Sequence, residues 1–331
     1  MTTLWIGTYP SAGAGTPVGL GEGVWSVELD AATGQLSGER LLAATPSPSF
    51  LAVHADGRTL YAVNEHSDGT VTAFDVTPDG LRERGSVPSG GDDPCHVVVD
   101  GDTLLVANYS SGTLAAIPLD ATGGFAGDAT VLGHVGSGPN RERQESPHAH
   151  FVALDPGGRH VLVVDLGTDE IRRYRRTDDG LVPDGIAMTF APGTGPRHLA
   201  FAPDGLHAYV VGELDNAVHV LEWRETTGTL VQSVPVATDS LLSHVLLDGE
   251  RLLVGVRISD TIAELTVGAD GLLAEPVHHR LPGGWPRHHE VVDGWTVVAE
   301  QVGAALTVLG PDGAVASRLD LPAPACVVRA R

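Results

Sequence analysis

The apolar positions of this sequence fall into short runs with a recurring punctuation. In the plainest copy, Pro196 opens an apolar strand that ends at Phe201, an Asp-Gly turn follows, and a second apolar strand ends at Gly212. Similar units begin at Pro94, Pro147 and Pro286, and weaker copies begin at Pro48 and Ser243. Short apolar runs bounded by Gly, Pro and Asp are typical of β-strands joined by tight turns. The pattern therefore predicts pairs of antiparallel strands along the whole chain.

These units repeat with a regular period. The predicted second strands end at residues that are 43, 57, 47, 44 and 44 positions apart, namely Glu65, Asn108, Asp165, Gly212, Val256 and Glu300. Such periods indicate stacked supersecondary units, of which the four-stranded blade of a β-propeller is the all-β form. Residues 4–9 have the form of a second strand without a first, and residues 324–328 that of a first strand without a second. We expect the two ends to share one blade of an all-β, seven-bladed propeller, which removes the open sheet edges.

Composition and charge narrow the possible functions. The chain has 331 residues, and because the repeat covers all of them we predict a single domain, residues 1–331. The formal net charge is −22, and all 20 cationic side chains are Arg. So acidic a surface repels a polyanion, which argues against binding to nucleic acid. The absence of Lys from the sequence excludes a Schiff-base lysine and a P-loop.

The sequence also bears on location and partners. Cys95 and Cys326 lie inside predicted strands, far apart in the chain, and we expect buried free thiols of the kind found in a reducing cytosol. The N-terminus has no basic region followed by a long apolar stretch, and no run reaches the length of a membrane span. We therefore predict a cytoplasmic protein without a membrane partner. The expected assembly is a monomer or a weak dimer.

Two segments interrupt the repeat. Residues 10–23 are rich in Gly and are predicted to form a surface loop. Residues 121–146 lengthen one step of the period and end in a charged run directly before His148. An irregular insertion of this length in a compact domain is either disordered or functional. Because it leads into His148, we favour a functional role, such as a lid.

Strand order converts these positions into a candidate site. In a propeller blade the first strand lies innermost and the second runs back along it, so the start of the first and the end of the second share a face. Residues that follow each Pro or close each second strand should therefore meet at one mouth of the central channel: His148, Arg197, Arg287, Glu65, Asn108, Tyr109, Asp165, Glu213, Arg257, Glu300 and Gln301. Charged groups there cost desolvation free energy unless they are paired or used. Three Arg with a Glu and a His point to an anion-binding pocket.

A structural interpretation stands beside this functional one. Glu213 next to Arg197 or Arg257 can form an ion pair that serves only the fold. His96, His198 and His288 occupy one repeat position, two residues after the Pro, and recurrence of one residue type favours packing between strands or blades. Residues that differ between blades at a shared position are the better candidates for chemistry.

Several motifs resemble a known family. Residues 140–150 contain Gln-x-x-Pro-His-x-His, and residues 195–199 read Gly-Pro-Arg-His-Leu. Together with the runs at 163–167, 212–214, 107–112 and 64–65, they resemble the seven-bladed lactonase family. This family comprises bacterial propeller-type 6-phosphogluconolactonases and the related fungal carboxy-muconate lactonizing enzymes, and the likeness covers essentially the full length. Two motifs depart from the family pattern, with Gly255-Val256-Arg257 in place of Ser-Asn-Arg and Ala299-Glu300-Gln301 in place of Ala-Asn-Gln.

The resemblance implies a site and a reaction. It implies catalytic roles for His148, Arg197 and Glu213, with Arg257 as the fourth member. The expected substrate-binding set contains the other residues of the mouth and two motif His: Glu65, Asn108, Tyr109, His150, Asp165, His198, Arg287, Glu300 and Gln301. The implied reaction opens an anionic sugar lactone, 6-phospho-D-glucono-1,5-lactone, to the acid. Such a reaction needs a base for water, a cation for the oxyanion and donors for phosphate. Glu213 and His148 both remain candidates for the base.

Other chemistries have weaker signals. The sequence has no Gly-x-Ser-x-Gly elbow and no His-Glu-x-x-His or Cys-x-x-Cys motif. We expect no cofactor and no metal, although His148, His150 and His288 are an alternative metal-binding set. Two other functions stay open: a muconate-type lactonizing cycloisomerase, which also needs an anion clamp and a proton donor, and a non-catalytic propeller scaffold. The scaffold is disfavoured because 5% aromatic residues leave little material for an apolar docking patch.

Overall fold

The computed structural model describes residues 1–9 and 23–330, so most of the predicted loop at 10–23 lies outside the described residues. Within the described residues, β-strands form seven four-stranded sheets and no helix occurs. The all-β composition follows from the short apolar runs and their Asp and Gly turns. Nor is any helix that could cross a membrane found in this part of the chain.

The strands follow one another along the chain with few long connections. The first fourteen are β1 (Thr2–Thr8), β2 (Val24–Leu29), β3 (Leu36–Ala43), β4 (Leu51–Val53), β5 (Thr59–Asn64), β6 (Thr70–Thr77), β7 (Gly80–Pro88), β8 (Pro94–Asp100), β9 (Thr103–Asn108), β10 (Thr113–Pro118), β11 (Thr130–Leu132), β12 (Ala149–Leu154), β13 (His160–Asp165) and β14 (Glu170–Thr177). The others are β15 (Gly180–Thr189), β16 (Pro196–Phe201), β17 (His207–Gly212), β18 (Ala217–Arg224), β19 (Thr227–Pro235), β20 (Leu242–Asp248), β21 (Arg251–Val256), β22 (Thr261–Thr266), β23 (Val277–Arg280), β24 (Pro286–Val292), β25 (Trp295–Glu300), β26 (Ala305–Leu309), β27 (Val315–Asp320) and β28 (Pro324–Arg329).

The first and last strands of the chain belong to one sheet. Its order is β28-β1-β2-β3, and β28 pairs antiparallel with β1, with Trp5 opposite Val328. The prediction that the two ends complete one blade is confirmed. The other six sheets are each built from four consecutive strands. The pairing places β1 inside the sheet, between β28 and β2, so that both of its sides are hydrogen-bonded.

The second strands are the most deeply buried elements. All six residues of β5 and all six of β13 are buried, which explains why these strands read as continuous apolar runs rather than as alternating ones. Their predicted ends are also accurate. Strands β9, β13, β17, β21 and β25 end at the predicted residue, and β5 ends one residue earlier, at Asn64.

The chain divides into two compact units. The first contains Met1–Ser110, Ala115–Val131 and Leu281–Arg331, and the second contains Ser111–Leu114 and Leu132–Arg280. Each unit has its own apolar clusters where neighbouring sheets pack face to face. In the first unit Leu4 and Ile6 pack with Val297 and Val327. In the second, Val211 and Val218 pack with Val254.

Part of the predicted irregular insertion is a regular strand. Residues 130–132 form β11, which completes the sheet of β8, β9 and β10 as its fourth strand. Before it, Leu119 and Phe125 form an isolated antiparallel bridge. The expectation of an unstructured segment over 121–146 is therefore wrong for this part. A strand of three residues is too short to show a periodic apolar pattern, so the sequence does not reveal it.

The two cysteines are free and buried, as predicted. Cys326 lies in β28 and is fully buried, and burial raises the pKa of its thiol to about 12. A thiol that stays protonated at neutral pH is a poor nucleophile. Cys326 therefore acts as a small apolar residue of the core.

Glu290 in β24 gives the first unit a pH-dependent stability. Burial raises the pKa of its carboxyl to about 7, although the Val291 N–H donates to Oε1 at 3.2 Å. A folded-state pKa above the unfolded value means that the folded protein binds the proton more tightly, so stability falls as pH rises from about 4 to about 7. We expect Glu290→Gln to remove this loss and to raise the free energy of unfolding above pH 7 by about 2 kcal/mol. Urea denaturation at pH 5 and pH 8 measures the difference.

The exposed carboxylate of Glu83, in β7 of the same unit, provides the matched control. Glu83→Gln should leave the difference in stability between pH 5 and pH 8 as it is in the wild type. If Glu290→Gln has the same pH dependence as the wild type, Glu290 does not titrate in this range.

Candidate functional site

A β-bulge recurs near the start of the first strand in several sheets. The register shifts by one residue between Pro94 and His96, Ala149 and Phe151, Pro196 and His198, and Pro286 and His288. Each shift leaves one residue of the first strand without an opposite residue on the second: Cys95, His150, Arg197 and Arg287. A bulge bends its strand and redirects the side chain of the extra residue, and bulges are frequent next to active sites. The fold thus presents one redirected side chain in each of these sheets.

The register corrects one alignment within the repeat. The sequence pattern placed His148 with Arg197, because each follows a Pro. The structure instead pairs Ala149 with Asp165 as it pairs Pro196 with Gly212, so His150 is the equivalent of Arg197. His148 precedes the strand. The spacing contained this signal, since Ala149 and Pro196 both stand sixteen residues before the end of their second strands.

In the second unit, three Arg side chains converge on the carboxylate of Glu213. Glu213 follows β17 directly, is 1% exposed, and its backbone N–H donates to Gly195 O at 2.8 Å. Its Oε2 lies 3.0 Å from Nε of Arg197 and 2.5 Å from Nη2 of Arg257. Its Oε1 lies 2.6 Å from Nη2 of Arg143. One carboxylate therefore joins three separate segments of the chain.

The charges of this cluster do not cancel. Three guanidinium groups contact the one carboxylate of Glu213, so positive groups outnumber negative ones among these contacts. Burial alone would raise the pKa of Glu213, but Arg257, Arg143, Arg197 and His150 together hold it well below its usual range. Glu213 is thus ionised at neutral pH and has little tendency to accept a proton. The surplus of positive charge suits an anionic ligand.

Arg197 is fixed from several sides. Its Nη1 donates to Ser243 O at 2.7 Å and to Nε2 of His198 at 3.1 Å. Because Arg can only donate, Nε2 of His198 carries the lone pair and Nδ1 carries the proton. That Nδ1 lies 2.9 Å from Nδ1 of His244, which must then accept. The predicted substrate-binding residue His198 therefore lies behind Arg197, where both of its ring nitrogens are engaged by protein groups.

Arg257 is held in the same manner by backbone carbonyls. Its Nη2 donates to Leu242 O at 3.0 Å and its Nε to Leu241 O at 3.4 Å. The guanidinium side chains of Arg197 and Arg257 are only 3% and 5% exposed. Two buried cations in fixed positions form a preorganised electrostatic site, which needs little rearrangement when charge develops on a substrate.

Arg143 reaches the cluster from the segment that precedes β12. The next residue, Gln144, is fully buried, and its Nε2 donates to Leu166 O at 2.9 Å and to Oδ1 of Asp169 at 2.8 Å. The same Oδ1 accepts the N–H of Gly195 at 2.7 Å, in the loop that leads to Arg197. Asp169 thus ties the segment of Arg143 to the loop of Arg197.

His148 occupies a tightly packed position between this segment and β12. Its backbone N–H donates to Oδ1 of Asp165 at 3.0 Å, and its carbonyl accepts from Leu166 N at 3.0 Å. Its Nε2 lies 3.3 Å from Oε1 of Glu145, whose side chain is 55% exposed. The carboxylate accepts the proton of Nε2, which assigns the lone pair to Nδ1. A Cβ on Gly167 would clash with the backbone oxygen of Ser146 and would lie 2.8 Å from the backbone nitrogen of His148, so this close approach of two backbone segments requires glycine.

The first unit contains a separate cluster around Arg287. Its Nη2 lies 3.2 Å from Oε2 of Glu65, and its guanidinium carbon lies 4.5 Å from the ring centre of Tyr9. The Tyr9 hydroxyl donates to Oε1 of Glu65 at 2.8 Å, and Nη1 of Arg287 donates to Oε1 of Gln301 at 3.4 Å. Glu65 and Arg287 thus form a buried ion pair of balanced charge. Unlike the cluster of Glu213, it has no surplus cation among the described residues.

Residues that close the second strands brace the neighbouring loops. Asn108 is fully buried and donates from Nδ2 to Ser89 O at 3.2 Å. Asp165, also fully buried, accepts from the N–H of His148 and lies 3.1 Å from Nε2 of His134. Glu300 accepts the hydroxyl of Thr307. Tyr109 is half-buried and donates its N–H to Asp93 O at 2.9 Å. These contacts position backbone segments.

Comparison with known proteins identifies the family. The family model described as lactonase, 7-bladed beta-propeller, matches residues 3–328. The chain belongs to this lactonase family. The 6-phosphogluconolactonase of Bacillus subtilis (strain 168) is 32% identical, with 98% of this chain and 97% of the relative covered. The match confirms the predicted all-β, seven-bladed propeller and the resemblance drawn from the motifs. It also shows that the protein is a lactone-hydrolysing enzyme whose partner is a lactone substrate.

Solved structures give the same result. A crystal structure of a protein from Lactobacillus plantarum has a TM-score of 0.90 and 28% identity, covering 99% of each chain. The periplasmic gluconolactonase of Pseudomonas aeruginosa has a TM-score of 0.87 and 27% identity, covering 100% of this chain and 99% of that one. The lactonase thus shares its whole fold with proteins that differ from it at most positions.

The predicted site residues of the lactonase fall into two groups. His148, His150, Asp165, Arg197, His198, Glu213 and Arg257 lie in the second unit, while Glu65, Asn108, Tyr109, Arg287, Glu300 and Gln301 lie in the first. Glu213 is in direct contact with both Arg197 and Arg257, as the predicted ion pair requires. Sequence reasoning missed Arg143 and its supports Gln144 and Asp169, although Arg143 and Gln144 lie within the motif that carries the family resemblance.

The sequence left a metal site formed by His residues as the alternative to a site without a metal. Within residues 1–9 and 23–330, no group of three or more His, Cys, Asp or Glu side chains is arranged to hold a metal ion. The surplus positive charge around Glu213 also disfavours a cation.

Proposed function

We propose that this lactonase hydrolyses 6-phospho-D-glucono-1,5-lactone to 6-phospho-D-gluconate, a step of the pentose phosphate pathway. The observation that carries the proposal is the set of three Arg on one buried carboxylate, because its surplus charge matches a phosphorylated substrate. The Bacillus subtilis relative, named 6-phosphogluconolactonase, supports the same substrate. A lactone carries its own electrophilic carbonyl, so the enzyme needs a cation for the oxyanion, a base for water and donors for phosphate.

Arg197 and Arg257 suit the role of oxyanion donors. Both are buried and are held by Glu213 and by backbone carbonyls, so their positions are set before the substrate binds. When water adds to the lactone carbonyl, negative charge develops on the carbonyl oxygen. A fixed guanidinium that donates to this oxygen lowers the barrier by a few kcal/mol. Glu213 is then a positioning residue that holds both cations.

His148 suits the role of the general base better than Glu213. The lowered pKa of Glu213 makes its carboxylate a weak acceptor of the water proton. An imidazole accepts a proton at its unprotonated ring nitrogen, and a carboxylate partner fixes its tautomer. Glu145 supplies that carboxylate at 3.3 Å from Nε2 of His148, which leaves Nδ1 as the basic nitrogen. The orienting contact parallels the base and carboxylate of hydrolytic triads.

Turnover of freshly prepared 6-phosphogluconolactone tests the proposal. Coupling to 6-phosphogluconate dehydrogenase reports the product, and the spontaneous opening of the lactone sets the background rate. We expect a rate well above background that is unchanged by a chelator, and a lower kcat/KM for glucono-1,5-lactone. Carboxy-muconate, offered to the same preparation, tests the cycloisomerase alternative. A lactonase that fails to exceed background on the phosphorylated lactone refutes the proposed substrate.

Location and assembly are parts of the same proposal. We propose a cytoplasmic enzyme, supported by two buried free cysteines, whereas the similar Pseudomonas aeruginosa protein is named a periplasmic gluconolactonase. We also propose a monomer or a weak dimer. Cell fractionation and sedimentation velocity measure the two properties directly.

A further inference from the structure

Arg143 is the cation of the Glu213 cluster that meets solvent. Its side chain is 33% exposed, while those of Arg197 and Arg257 are 3% and 5% exposed. All three contact the same carboxylate, and Arg143 is the most accessible of them. A hydrated anion that approaches the cluster therefore meets Arg143 before it can reach the other two.

The backbone that carries Arg143 is firmly held. Oδ1 of Asn140 accepts the N–H groups of Glu142 at 3.1 Å and Arg143 at 3.2 Å, which closes an Asx turn. Gln144 is fully buried and hydrogen-bonds Leu166 and Asp169, and its carbonyl accepts from Gly138 N at 2.9 Å. The backbone of this segment is fixed, whereas the end of the Arg143 side chain meets solvent. The guanidinium can therefore change partner while the backbone stays in place.

The two carboxylate oxygens of Glu213 contact different Arg side chains. Oε2 is contacted by both buried cations, Arg197 and Arg257, whereas Oε1 contacts Arg143 at 2.6 Å. A phosphate monoester carries close to two negative charges at neutral pH and three acceptor oxygens. It therefore attracts the planar fork of an Arg more strongly than one carboxylate oxygen does. If Arg143 turns to a phosphate, Glu213 keeps its two buried partners.

We infer that Arg143 determines specificity by moving its guanidinium from Glu213 to the phosphate of the bound lactone. The inference deepens the proposed function and rests on it for the identity of the anion. Arg197 and Arg257 stay on Glu213 and face the lactone carbonyl. Arg143 is thus a substrate-binding residue that acts on the phosphate end, and its removal should affect phosphorylated substrates alone.

The test compares two substrates and two variants. We expect Arg143→Ala to lower kcat/KM for 6-phosphogluconolactone by about 10- to 100-fold, mainly through KM, the effect of losing one charge-assisted contact. The kcat/KM for glucono-1,5-lactone should change by less than about threefold, because it lacks the phosphate that Arg143 would bind. Arg143→Lys should restore part of the difference, since Lys keeps the charge but loses the fork. Arg141→Ala, an exposed neighbour on the same segment, is the control.

A binding measurement separates this inference from the proposed function. Calorimetry with 6-phosphogluconate and with gluconate reports selectivity for the phosphate whether or not the protein turns over either lactone. Preference for the phosphorylated acid that is lost in Arg143→Ala and kept in Arg141→Ala supports the inference, even if the wild type proves inactive on 6-phosphogluconolactone. Equal losses for both ligands, or no loss, in a folded Arg143→Ala protein overturn it. Arg143→Lys with wild-type selectivity overturns the bidentate contact.

Discussion

Glu213→Gln should destabilise the lactonase and nearly abolish its activity. The substitution removes the carboxylate charge that Arg143, Arg197 and Arg257 all contact, and two of these guanidinium groups are almost fully buried. Breaking a buried ion pair by removal of one partner leaves an uncompensated charge and costs about 3–5 kcal/mol. We expect a loss of this size in the free energy of unfolding, measured by urea denaturation. Because both oxyanion donors lose their anchor, kcat should fall by about 100-fold or more.

The pH dependence of stability checks the electrostatic reason for this loss. The folded-state pKa of Glu213 lies well below its usual range, because the three Arg and His150 outweigh the effect of burial. A group with a lowered folded pKa contributes stability that is present above its unfolded pKa and is lost as pH falls through the folded one. The wild type should therefore lose stability as pH falls below about 4. In Glu213→Gln this contribution is absent at every pH.

Glu222→Gln is the matched control. Glu222 lies in β18, and its Oε1 pairs with Nη2 of Arg224 at 2.5 Å, but the two side chains are 39% and 78% exposed. Exposed ion pairs contribute about 0–1 kcal/mol, so this variant should keep its stability and its kcat. If Glu213→Gln is no less stable than Glu222→Gln, the cluster does not depend on the charge of Glu213.

Much of the fold could be predicted because the sequence repeats. These second strands are deeply buried and so read as apolar runs, and all of the six predicted ones except β21, which ends at Val256, end at a polar residue or glycine. Those ends were located to within one residue, and the incomplete units at residues 4–9 and 324–328 indicated the shared sheet of β28 and β1. Repetition turns several weak local signals into one strong signal. Where it fails, at β11, the prediction failed too.

The geometry of the site depends on β-bulges, which the repeat in the sequence does not show. The bulge at Arg197 adds one residue to a strand, and a shift of one residue exchanges the two faces of the strand. Counting from the Pro therefore aligned Arg197 with His148, whereas the register aligns it with His150. Only the distance to the end of the second strand preserves the correct equivalence.

Contacts between distant loops were the least predictable part of the site. Arg143 lies seventy residues before Glu213 and in a segment without periodicity, so no pattern connects the two. Asp169 illustrates the same limit. It has a φ of 57° and a buried carboxylate that accepts from Gln144, Gly193 and Gly195. A sequence shows that an Asp tolerates a left-handed turn, but not which loops its side chain will join.

The Asn residues that end second strands hydrogen-bond to backbone groups. Their recurrence at one repeat position is consistent with this structural role. Asn64 donates from Nδ2 to Pro46 O at 2.6 Å, in the same manner as Asn108 braces its own loop. These residues share a repeat position, as do His96 and His288, which pack against Phe50 and accept from Val327 N respectively. Asn108 and Asp165 make hydrogen bonds to protein groups that position neighbouring segments, and their role in substrate binding stays a prediction.

His148→Ala should lower kcat by about 1000-fold if imidazole is the base that activates water. Nδ1 would accept the water proton while Glu145 stabilises the charged ring through Nε2. A general base acts only in its unprotonated form, so kcat/KM of the wild type should decline toward acidic pH. The residual rate of His148→Ala should lack this decline. Steady-state kinetics from pH 5 to pH 8, corrected for the spontaneous reaction at each pH, measures both effects.

Two further variants distinguish catalysis from structure. Glu145→Gln keeps the size of the orienting side chain and should lower kcat by about 10-fold with little effect on KM, because the base remains but its charged form loses a partner. His278→Ala alters an exposed His in β23 that contacts the Thr261 hydroxyl at 3.0 Å, and it should leave kcat unchanged. If His148→Ala retains the acidic decline of the wild type, a different group takes the proton. Because Glu213 has a low proton affinity, the next candidate for the base would then be His150, the residue that the bulge redirects in β12.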